Sequence, residues 1–203
     1  MKNDTISLWG EKRYHSLDYY LKNTYHEKVY RIALNAGLSC PNRDGRLDTR
    51  GCIFCSAGGS GDFAASPTLS ITEQLETEKK ILRAKRNCNK FIAYFQAFTN
   101  TYGSVEHLRD LYMQAVNDPD VVIISIATRP DCLQPEILSL LAEINEKKTV
   151  WVELGLQTIH DDTRVFTRSG FTYETFQKSL FALHALSTVS YTHLRAHETG
   201  AYL

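Results

Sequence analysis

Residues 121–127 read VVIISIA, an apolar run in which Ser125 is the single polar residue. Such a run, without alternation of polar and apolar positions, is typical of a strand that is buried on both faces in a parallel sheet. Residues 150–156 read VWVELGL and repeat the pattern around one charge, Glu153. These two segments predict strands in the interior of an α/β fold.

The alternation of strands and helices extends outward from these two segments. Further strands are predicted at residues 29–34 and 91–98. Between strands, Ser70 and Glu73 have the spacing of a capping box, and Pro135 suits the first turn of a helix. Strands that alternate with helices form βαβ units in a parallel sheet. The predicted fold class is therefore α/β, a parallel (βα) partial barrel that is truncated after about four βα units.

The pattern divides the chain into three parts. Residues 1–27 are predicted to form an N-terminal lead-in with a helix at 14–27. Residues 28–188 are predicted to form an incomplete core, and residues 189–203 are predicted to form a tail. Residues 189–199 resemble the translation of a sequencing-library adaptor, so we expect a non-native tail and exclude His193 and His197 as ligands. A native disordered tail is the alternative.

Composition narrows the class of protein. The chain has 203 residues with 23 basic and 23 acidic side chains, so its formal net charge is zero. This balance gives no excess of positive charge that would indicate nucleic-acid binding, although it is compatible with a local basic groove. No segment has the length and apolarity of a membrane span, and the first ten residues lack the apolar core of a signal peptide. We therefore expect a cytoplasmic protein. Five cysteines, an odd number, argue against a disulfide framework.

Three cysteines crowd into the loop that follows the first predicted strand. Cys52 and Cys55 form a Cys-x-x-Cys pair, and Cys40 precedes them by a longer spacing. Three thiolates are one fewer than the four that usually hold a [4Fe–4S] cluster, so a cluster bound here would keep one iron free for a small molecule. We expect the glycines of residues 58–61 to let the backbone approach a cofactor closely.

Two other types of site are compatible with these cysteines. A Cys₃His zinc site that recruits His15 or His26 has similar cysteine spacing and is mainly structural. An electron-transfer iron–sulfur protein is the other type, although it usually has a fourth clustered cysteine. Cys88 and Cys132 have no partner by spacing, and we interpret both as incidental.

The segment CPNRDGRLDTRGCIFC at 40–55 resembles the cluster loop of the radical S-adenosylmethionine (SAM) superfamily. Its long first spacing differs from the commonest three-residue gap and looks like the branch that contains the catalytic subunit of Elongator and a group of bacterial proteins. The segments TRPDCL at 128–133 and VELGLQT at 152–158 are similar to that bacterial group. The resemblance extends from residue 29 to about residue 186.

The resemblance implies a partial (βα)₆ barrel with a [4Fe–4S] cluster and SAM at the carboxyl ends of its strands. It also implies a radical SAM enzyme, in which a reduced cluster cleaves SAM to a 5′-deoxyadenosyl radical that removes hydrogen from a substrate. A reductant such as flavodoxin or ferredoxin is then a partner. RNA modification is one option for the reaction, but the neutral charge does not favour it.

The resemblance further indicates residues that contact the cofactors. The metal ligands are Cys40, Cys52 and Cys55, and the contacts to SAM are Thr99, Asn100, Thr128, Glu153, Gln157 and Arg168. Thr99 and Asn100 stand where the superfamily commonly has Gly-Gly-Glu, and as ordinary turn residues they could instead satisfy backbone groups. Glu153 should point into a polar barrel lumen, with a structural ion pair as the alternative. Arg129 could pair with a carboxylate or lie in solvent.

Overall fold

The computed structural model describes residues 9–10, 12–186 and the backbone of 189–194. Its centre is a sheet of five parallel strands that lie side by side in sequence order. These are β1 (Val29–Leu34), β2 (Lys90–Phe95), β3 (Val121–Thr128), β4 (Thr149–Gln157) and β5 (Val189–Leu194). The predicted parallel α/β architecture of a partial barrel is confirmed.

Helices connect the strands. They are α1 (Leu17–Tyr25), α2 (Ile71–Lys85), α3 (Val105–Val116), α4 (Pro135–Lys147), α5 (Asp161–Thr167) and α6 (Tyr173–Ala185), with a 3₁₀ turn at Pro130–Cys132. The capping box is confirmed, because the Ser70 hydroxyl accepts from the Glu73 amide while the Glu73 carboxylate accepts from the Ser70 amide. Pro135 is the first residue of α4, as predicted.

Two apolar layers cover the sheet. The outer face packs against α2, α3, α4 and α6 through a large buried core that includes Leu34, Phe95 and Ile126. The inner face has a smaller cluster at the amino ends of the strands, made of Leu21, Val29, Ile92, Ile123 and Trp151. Since Leu21 belongs to α1, that helix closes the amino-terminal end of the inner face.

Two sequence-based boundaries need correction. Strand β2 ends at Phe95 rather than at residue 98, because Phe98 has a φ of 62° and turns the chain. The sequence showed no further strand after α6, whereas the structure has β5 at Val189–Leu194 in parallel pairing with β4. An unpaired edge of β4 offers a row of backbone donors and acceptors that an extended segment can satisfy. The non-native origin of 189–203 stays a prediction, and 187–188 and 195–203 lie outside the described residues.

The described helices also bear on membrane association. Among residues 9–10, 12–186 and 189–194, no helix combines the length and the apolarity that a bilayer span requires.

Candidate metal centre and cofactor cavity

The carboxyl ends of the strands border a cavity of about 340 Å³. The loop between β1 and α2 brings Cys40, Cys52 and Cys55 to its wall. Residues that follow β2, β3 and β4 form the rest of the wall, and parallel α/β folds build their sites at this edge of the sheet. The structure therefore brings the three predicted metal ligands together at one cavity.

The spacing of the thiols bears on the kind of metal site. In the part of the chain that the structure describes, no three His, Cys, Asp or Glu side chains converge tightly enough to hold one metal ion. Thiolates that share a single tetrahedral zinc ion lie about 3.8 Å apart, given Zn–S bonds of about 2.3 Å. In a multinuclear cluster, each thiolate binds a separate metal atom. Three thiolates are one fewer than the four that usually hold a [4Fe–4S] cluster, so a cluster bound here would keep one iron without a protein ligand.

The histidines of the zinc alternative lie far from these thiols. His15 contacts the rings of Trp9, Tyr19 and Tyr20, and His26 caps the C-terminus of α1. Both histidines precede β1, whose 6 residues extend about 20 Å at about 3.3 Å per residue. The cysteines follow the opposite end of that strand. Neither histidine can therefore complete a Cys₃His site.

Arg43 stabilises the cysteine loop through hydrogen bonds to its backbone carbonyls. Its guanidinium donates to the carbonyl of Cys55 at 3.1 Å and to that of Ser56 at 2.6 Å. Gly51 has a φ of 73°, and a Cβ at this position would lie 3.0 Å from the Arg43 guanidinium carbon. Gly51 is thus required both for its left-handed backbone and for the close approach of the arginine.

The glycines of residues 58–61 have a different role from the one expected. A Cβ on Gly59 would overlap the ring of Phe98, and a Cβ on Gly61 would overlap the side chain of Ala97. Their small size lets the loop pack on the segment that follows β2. Gly59 also lines the cavity. Glycine is nevertheless required there because the loop backbone lies close to the Phe98 ring, not because it lies close to a cofactor.

The predicted SAM contacts divide into two groups. Thr99, Thr128, Glu153 and Gln157 line the cavity next to the cysteines. Asn100 and Arg168 do not line it, so the structure does not bring the whole predicted set together. Arg168 instead borders a second cavity of about 570 Å³, which also adjoins α5.

Gln157, a member of the first group, has a side-chain oxygen without a hydrogen-bond partner. It ends β4 with a φ of 68°, and its Oε1 is buried without a hydrogen-bond partner in the structure. A Cβ on Gly155 would lie 3.0 Å from the Gln157 Nε2, so the side chain lies over that glycine. Buried polar atoms are nearly always hydrogen-bonded. Gln157 lines the cavity, but its Oε1 is enclosed by protein, so the side chain would have to rotate for that atom to meet a bound molecule.

The Asn100 side chain binds protein through its amide nitrogen, while its Oδ1 is buried without a hydrogen-bond partner in the structure. Its amide donates to the carbonyls of Phe95 at 2.9 Å and Ala127 at 3.0 Å, at the ends of β2 and β3. The Asn100 carbonyl in turn accepts from the Tyr112 hydroxyl. This is the backbone-satisfying role that the sequence left open, and it holds two strand ends together.

Glu153 lies in a polar layer of the inner face, above the apolar cluster that α1 closes. One carboxylate oxygen accepts from Arg31 and from the Ser125 hydroxyl, each at 3.1 Å, and the other accepts from the Tyr94 hydroxyl at 3.0 Å. Burial, together with the neighbouring Glu153 carboxylate, raises the pKa of Tyr94 above its ordinary value. The glutamate therefore both faces the cavity, as expected, and takes part in the alternative ion pair.

The sequence analysis missed two members of this layer, Arg31 and Tyr94. Both face inward because side chains alternate along a strand, and Arg31 in VYRIAL and Tyr94 in KFIAYF stand two residues after the inner-face Val29 and Ile92. That alternation was the available signal. Arg129, whose partner was left open, forms a bidentate pair with Asp131 at 2.9 and 2.8 Å.

Comparison with protein families gives one match that covers most of the chain. The model of the Radical SAM superfamily matches residues 49–195. Among curated proteins, YtqA of Bacillus subtilis is 51% identical over 153 residues, which are 75% of this chain and 48% of that protein. YhcC of Escherichia coli is 40% identical over 161 residues, 78% of this chain and 50% of that protein. The chain spans about half the length of these relatives.

Solved structures share the fold at low sequence identity. Elp3 of Methanocaldococcus infernus matches with a TM-score of 0.52 and 15% identity, over 82% of this chain and 37% of that protein. The cobalamin-dependent S-adenosylmethionine radical enzyme OxsB, with aqua-cobalamin and S-adenosylmethionine bound, matches with a TM-score of 0.54 and 16% identity, over 88% of this chain and 25% of that protein.

Proposed function

Because this chain belongs to the radical SAM superfamily, we propose that Cys40, Cys52 and Cys55 hold a [4Fe–4S] cluster and that the adjoining cavity binds SAM. The superfamily uses both cofactors. One observation carries the assignment of residues: the three thiols and the side chain of Gln157 line the same cavity.

The cofactors supply the difficult chemistry of this reaction. When bound, a reduced cluster provides the electron that cleaves the sulfonium C–S bond of SAM to methionine and a 5′-deoxyadenosyl radical, which removes hydrogen from the substrate. The protein binds and orients the reactants. The chain thus provides a radical SAM enzyme core.

The cavity walls suggest how SAM is held. Thr99 and Thr128 bring hydroxyl groups to the wall. The Thr101 hydroxyl donates to the Cys132 carbonyl, so the Thr128 hydroxyl donates to Thr101 and is left to accept from a ligand. Rotation of the Gln157 side chain, which lines the cavity, would let its amide oxygen accept from a ribose hydroxyl or an ammonium group of the ligand. Glu153 is held by Arg31 and Tyr94, so its position is set before a ligand enters.

Aromatic rings in the same wall serve a second need of radical chemistry. Phe54, Phe98 and Phe171 line the cavity beside the cysteines. Apolar rings displace water from the site, and exclusion of water and of competing hydrogen donors protects a reactive intermediate. Phe171 also contacts the Arg129 guanidinium at 5.3 Å, which fixes the ring at the rim.

Electrons must come from a partner. We propose a one-electron reductant such as flavodoxin or ferredoxin, in keeping with a cluster that is bound by thiolates and works in the reduced state. Thiolate ligation and reductive chemistry both require a reducing compartment, which supports the proposal of a cytoplasmic location.

Metal analysis and product analysis together test this proposal. We expect anaerobically reconstituted protein to contain about four iron and four acid-labile sulfide per chain, and to form 5′-deoxyadenosine when it is reduced in the presence of SAM. Cys55→Ala should lose both properties. The matched control is Cys88→Ala, which removes a buried thiol that does not line the cavity.

Two results would contradict the proposal. Stoichiometric zinc without sulfide would indicate a structural metal site. A cluster whose spectrum SAM leaves unchanged would indicate an electron-transfer protein.

A further inference from the structure

Asn42 lies at the centre of the cysteine loop and is 1% exposed. Its amide nitrogen lies 3.1 Å from the sulfur of Cys52, 2.7 Å from the carbonyl oxygen of Arg168 and 3.3 Å from that of Ser169. One side chain thus joins a predicted metal ligand to the segment between α5 and α6.

The surroundings fix which end of the Asn42 amide faces the sulfur. The nitrogen meets a sulfur and two carbonyl oxygens, and all three groups accept hydrogen bonds. The reverse orientation would direct the amide oxygen at two carbonyl oxygens and a thiolate. The oxygen instead lies towards Gly170, where an added Cβ would come within 3.0 Å.

The backbone of the α5–α6 segment is shaped to meet this amide. Arg168 caps α5 in the left-handed conformation, with a φ of 59°, and Gly170 follows with a φ of 78°. Left-handed residues at a helix end redirect the backbone that follows. The carbonyls of Arg168 and Ser169 consequently point at Asn42 rather than continuing the helix.

From this geometry we infer that Asn42 positions Cys52 and raises the reduction potential of the cluster through an N–H···S hydrogen bond. The inference rests on the proposed function, since it concerns the same cluster. A neutral donor spreads the negative charge of a ligand sulfur and so favours the form of the cluster that carries one more electron. Hydrogen bonds to cluster sulfurs are among the factors that set these potentials.

Cys52 is engaged more closely than Cys55. The sulfur of Cys55 lies 3.8 Å from the Ser60 hydroxyl, a longer contact than the 3.1 Å between Asn42 and Cys52. In the metal-free protein the Cys52 thiol also donates to the Arg168 carbonyl at 3.6 Å, a contact that a metal-bound thiolate would not make. Substitution of Asn42 should therefore change the electronic properties of the cluster chiefly through one of its ligands.

The test is an EPR-monitored redox titration of anaerobically reconstituted protein without SAM. In Asn42→Ala, we expect the ratio of reduced to oxidised cluster at a fixed potential to fall about tenfold, which for one electron is a shift of about 59 mV to more negative values. Asn42→Asp should shift it further, because it has the same shape but places a negative charge against the sulfur. The Fe–S(thiolate) stretching frequency, measured by resonance Raman, should rise in Asn42→Ala as the bond to sulfur strengthens.

Leu47→Ala is the matched control. Leu47 contacts the same α5–α6 segment at Gly170 but does not hydrogen-bond to the sulfur, so its truncation loosens the contact and leaves the donor in place. Its potential should equal that of the wild type. If Asn42→Ala does not retain a cluster, the reduction potential and the stretching frequency are measured on the isosteric Asn42→Asp instead.

The inference is overturned if an Asn42 variant that retains the cluster keeps the wild-type potential and stretching frequency, or if Leu47→Ala shifts the potential equally. Failure of the proposed function looks different, because the wild-type protein itself would then lack a cluster that responds to SAM.

Discussion

The two ends of the sheet treat polar groups in opposite ways. At the amino-terminal end, the ammonium group of Lys79, 3% exposed, lies 2.7 Å from Asp118 and 3.2 Å from Asp120. At the carboxyl-terminal end, three thiols and the side chains of Glu153 and Gln157 line a cavity. One end satisfies its buried charges within the protein, whereas the other presents polar atoms to a space that can take a ligand.

This difference indicates which end of the sheet stabilises the fold and which end binds the reactants. In parallel barrels, residues at the carboxyl ends of the strands carry the reaction, and those at the amino ends maintain the fold. We therefore expect substitutions at the Lys79 end to change the free energy of unfolding, and substitutions at the cavity to change cofactor binding. Each prediction below compares both quantities in one variant.

The largest effect is expected from the removal of a cluster ligand. Cys52→Ala should abolish retention of the cluster, because two remaining thiolates do not hold it against loss. The free energy of unfolding of the metal-free protein should change by less than about 1 kcal/mol, since Cys52 is only partly buried. Iron content and denaturant unfolding measure the two quantities. Full retention of iron in this variant would remove Cys52 from the ligand set.

The next effect lies at the opposite end of the sheet. Lys79→Met should lower the free energy of unfolding by about 3 kcal/mol, because it leaves the carboxylates of Asp118 and Asp120 without their buried cation. Protein that remains folded should hold the cluster as the wild type does. Urea unfolding, with iron content as the second readout, checks both expectations. A loss of cluster from fully folded protein would erase the distinction between the two ends.

The pH dependence of unfolding sharpens this prediction. Burial opposes ionisation of Asp120, but hydrogen bonds from Arg83 and Lys79 hold its pKa below the ordinary value. Burial would likewise lower the pKa of Lys79, but its hydrogen bonds to Asp118, Glu76 and Asp120 hold that pKa above the ordinary value. The stability due to Asp120 is present above the unfolded-state pKa of about 3.9, and that due to Lys79 is present below about 10.4.

The difference in unfolding free energy between wild type and Lys79→Met should therefore be greatest between about pH 5 and pH 9. It should shrink as the pH falls through the folded-state pKa of Asp120. Urea titrations at a series of pH values measure it, and a difference that stays constant down to pH 2 would contradict this account of the ion pair.

A smaller effect is expected at Gln157. Gln157→Leu should weaken SAM binding about tenfold, the value of one hydrogen bond of about 1.4 kcal/mol. The free energy of unfolding should not fall, because the variant removes a buried acceptor that has no partner in the protein. Equilibrium binding of SAM to the oxidised cluster form measures the affinity. Gln177→Leu, on the exposed face of α6, is the matched control and should bind SAM normally.

The smallest effect is expected at the N-terminus of α2. Ser70→Ala removes one half of the capping box and should cost about 1 kcal/mol of unfolding free energy. Although Ser70 ends the loop that carries the cysteines, it does not line the cavity, so cluster content and SAM affinity should be unchanged. Thermal unfolding and iron analysis would reveal a coupling of the cap to the cluster.

Much of the fold could be predicted because its signals are local. Unbroken apolar runs gave β3 and β4, and the capping box and Pro135 gave the starts of α2 and α4. The end of β2 could not be predicted, since the left-handed turn at Phe98 depends on packing against Gly59. Strand β5 was missed because its pairing depends on the free edge of β4 rather than on its own periodicity.

The site was predictable to the extent that sequence order reflects position at the sheet edge. Thr128 and Gln157 end their strands, Thr99 follows β2, and all three reach the cavity. Asn100 follows the same strand as Thr99, yet its amide binds the carbonyls of Phe95 and Ala127 instead. Adjacent residues at a strand end point in different directions, and tertiary contacts decide which one faces the cavity.

The central claim is that the three cysteines at the carboxyl edge hold a cluster to which SAM binds. EPR of anaerobically reconstituted, dithionite-reduced protein, recorded with and without SAM, tests it most directly. We predict a [4Fe–4S]⁺ signal that shifts on addition of SAM and is absent from Cys55→Ala. A reduced protein without such a signal, or with one that SAM leaves unchanged, would contradict the account.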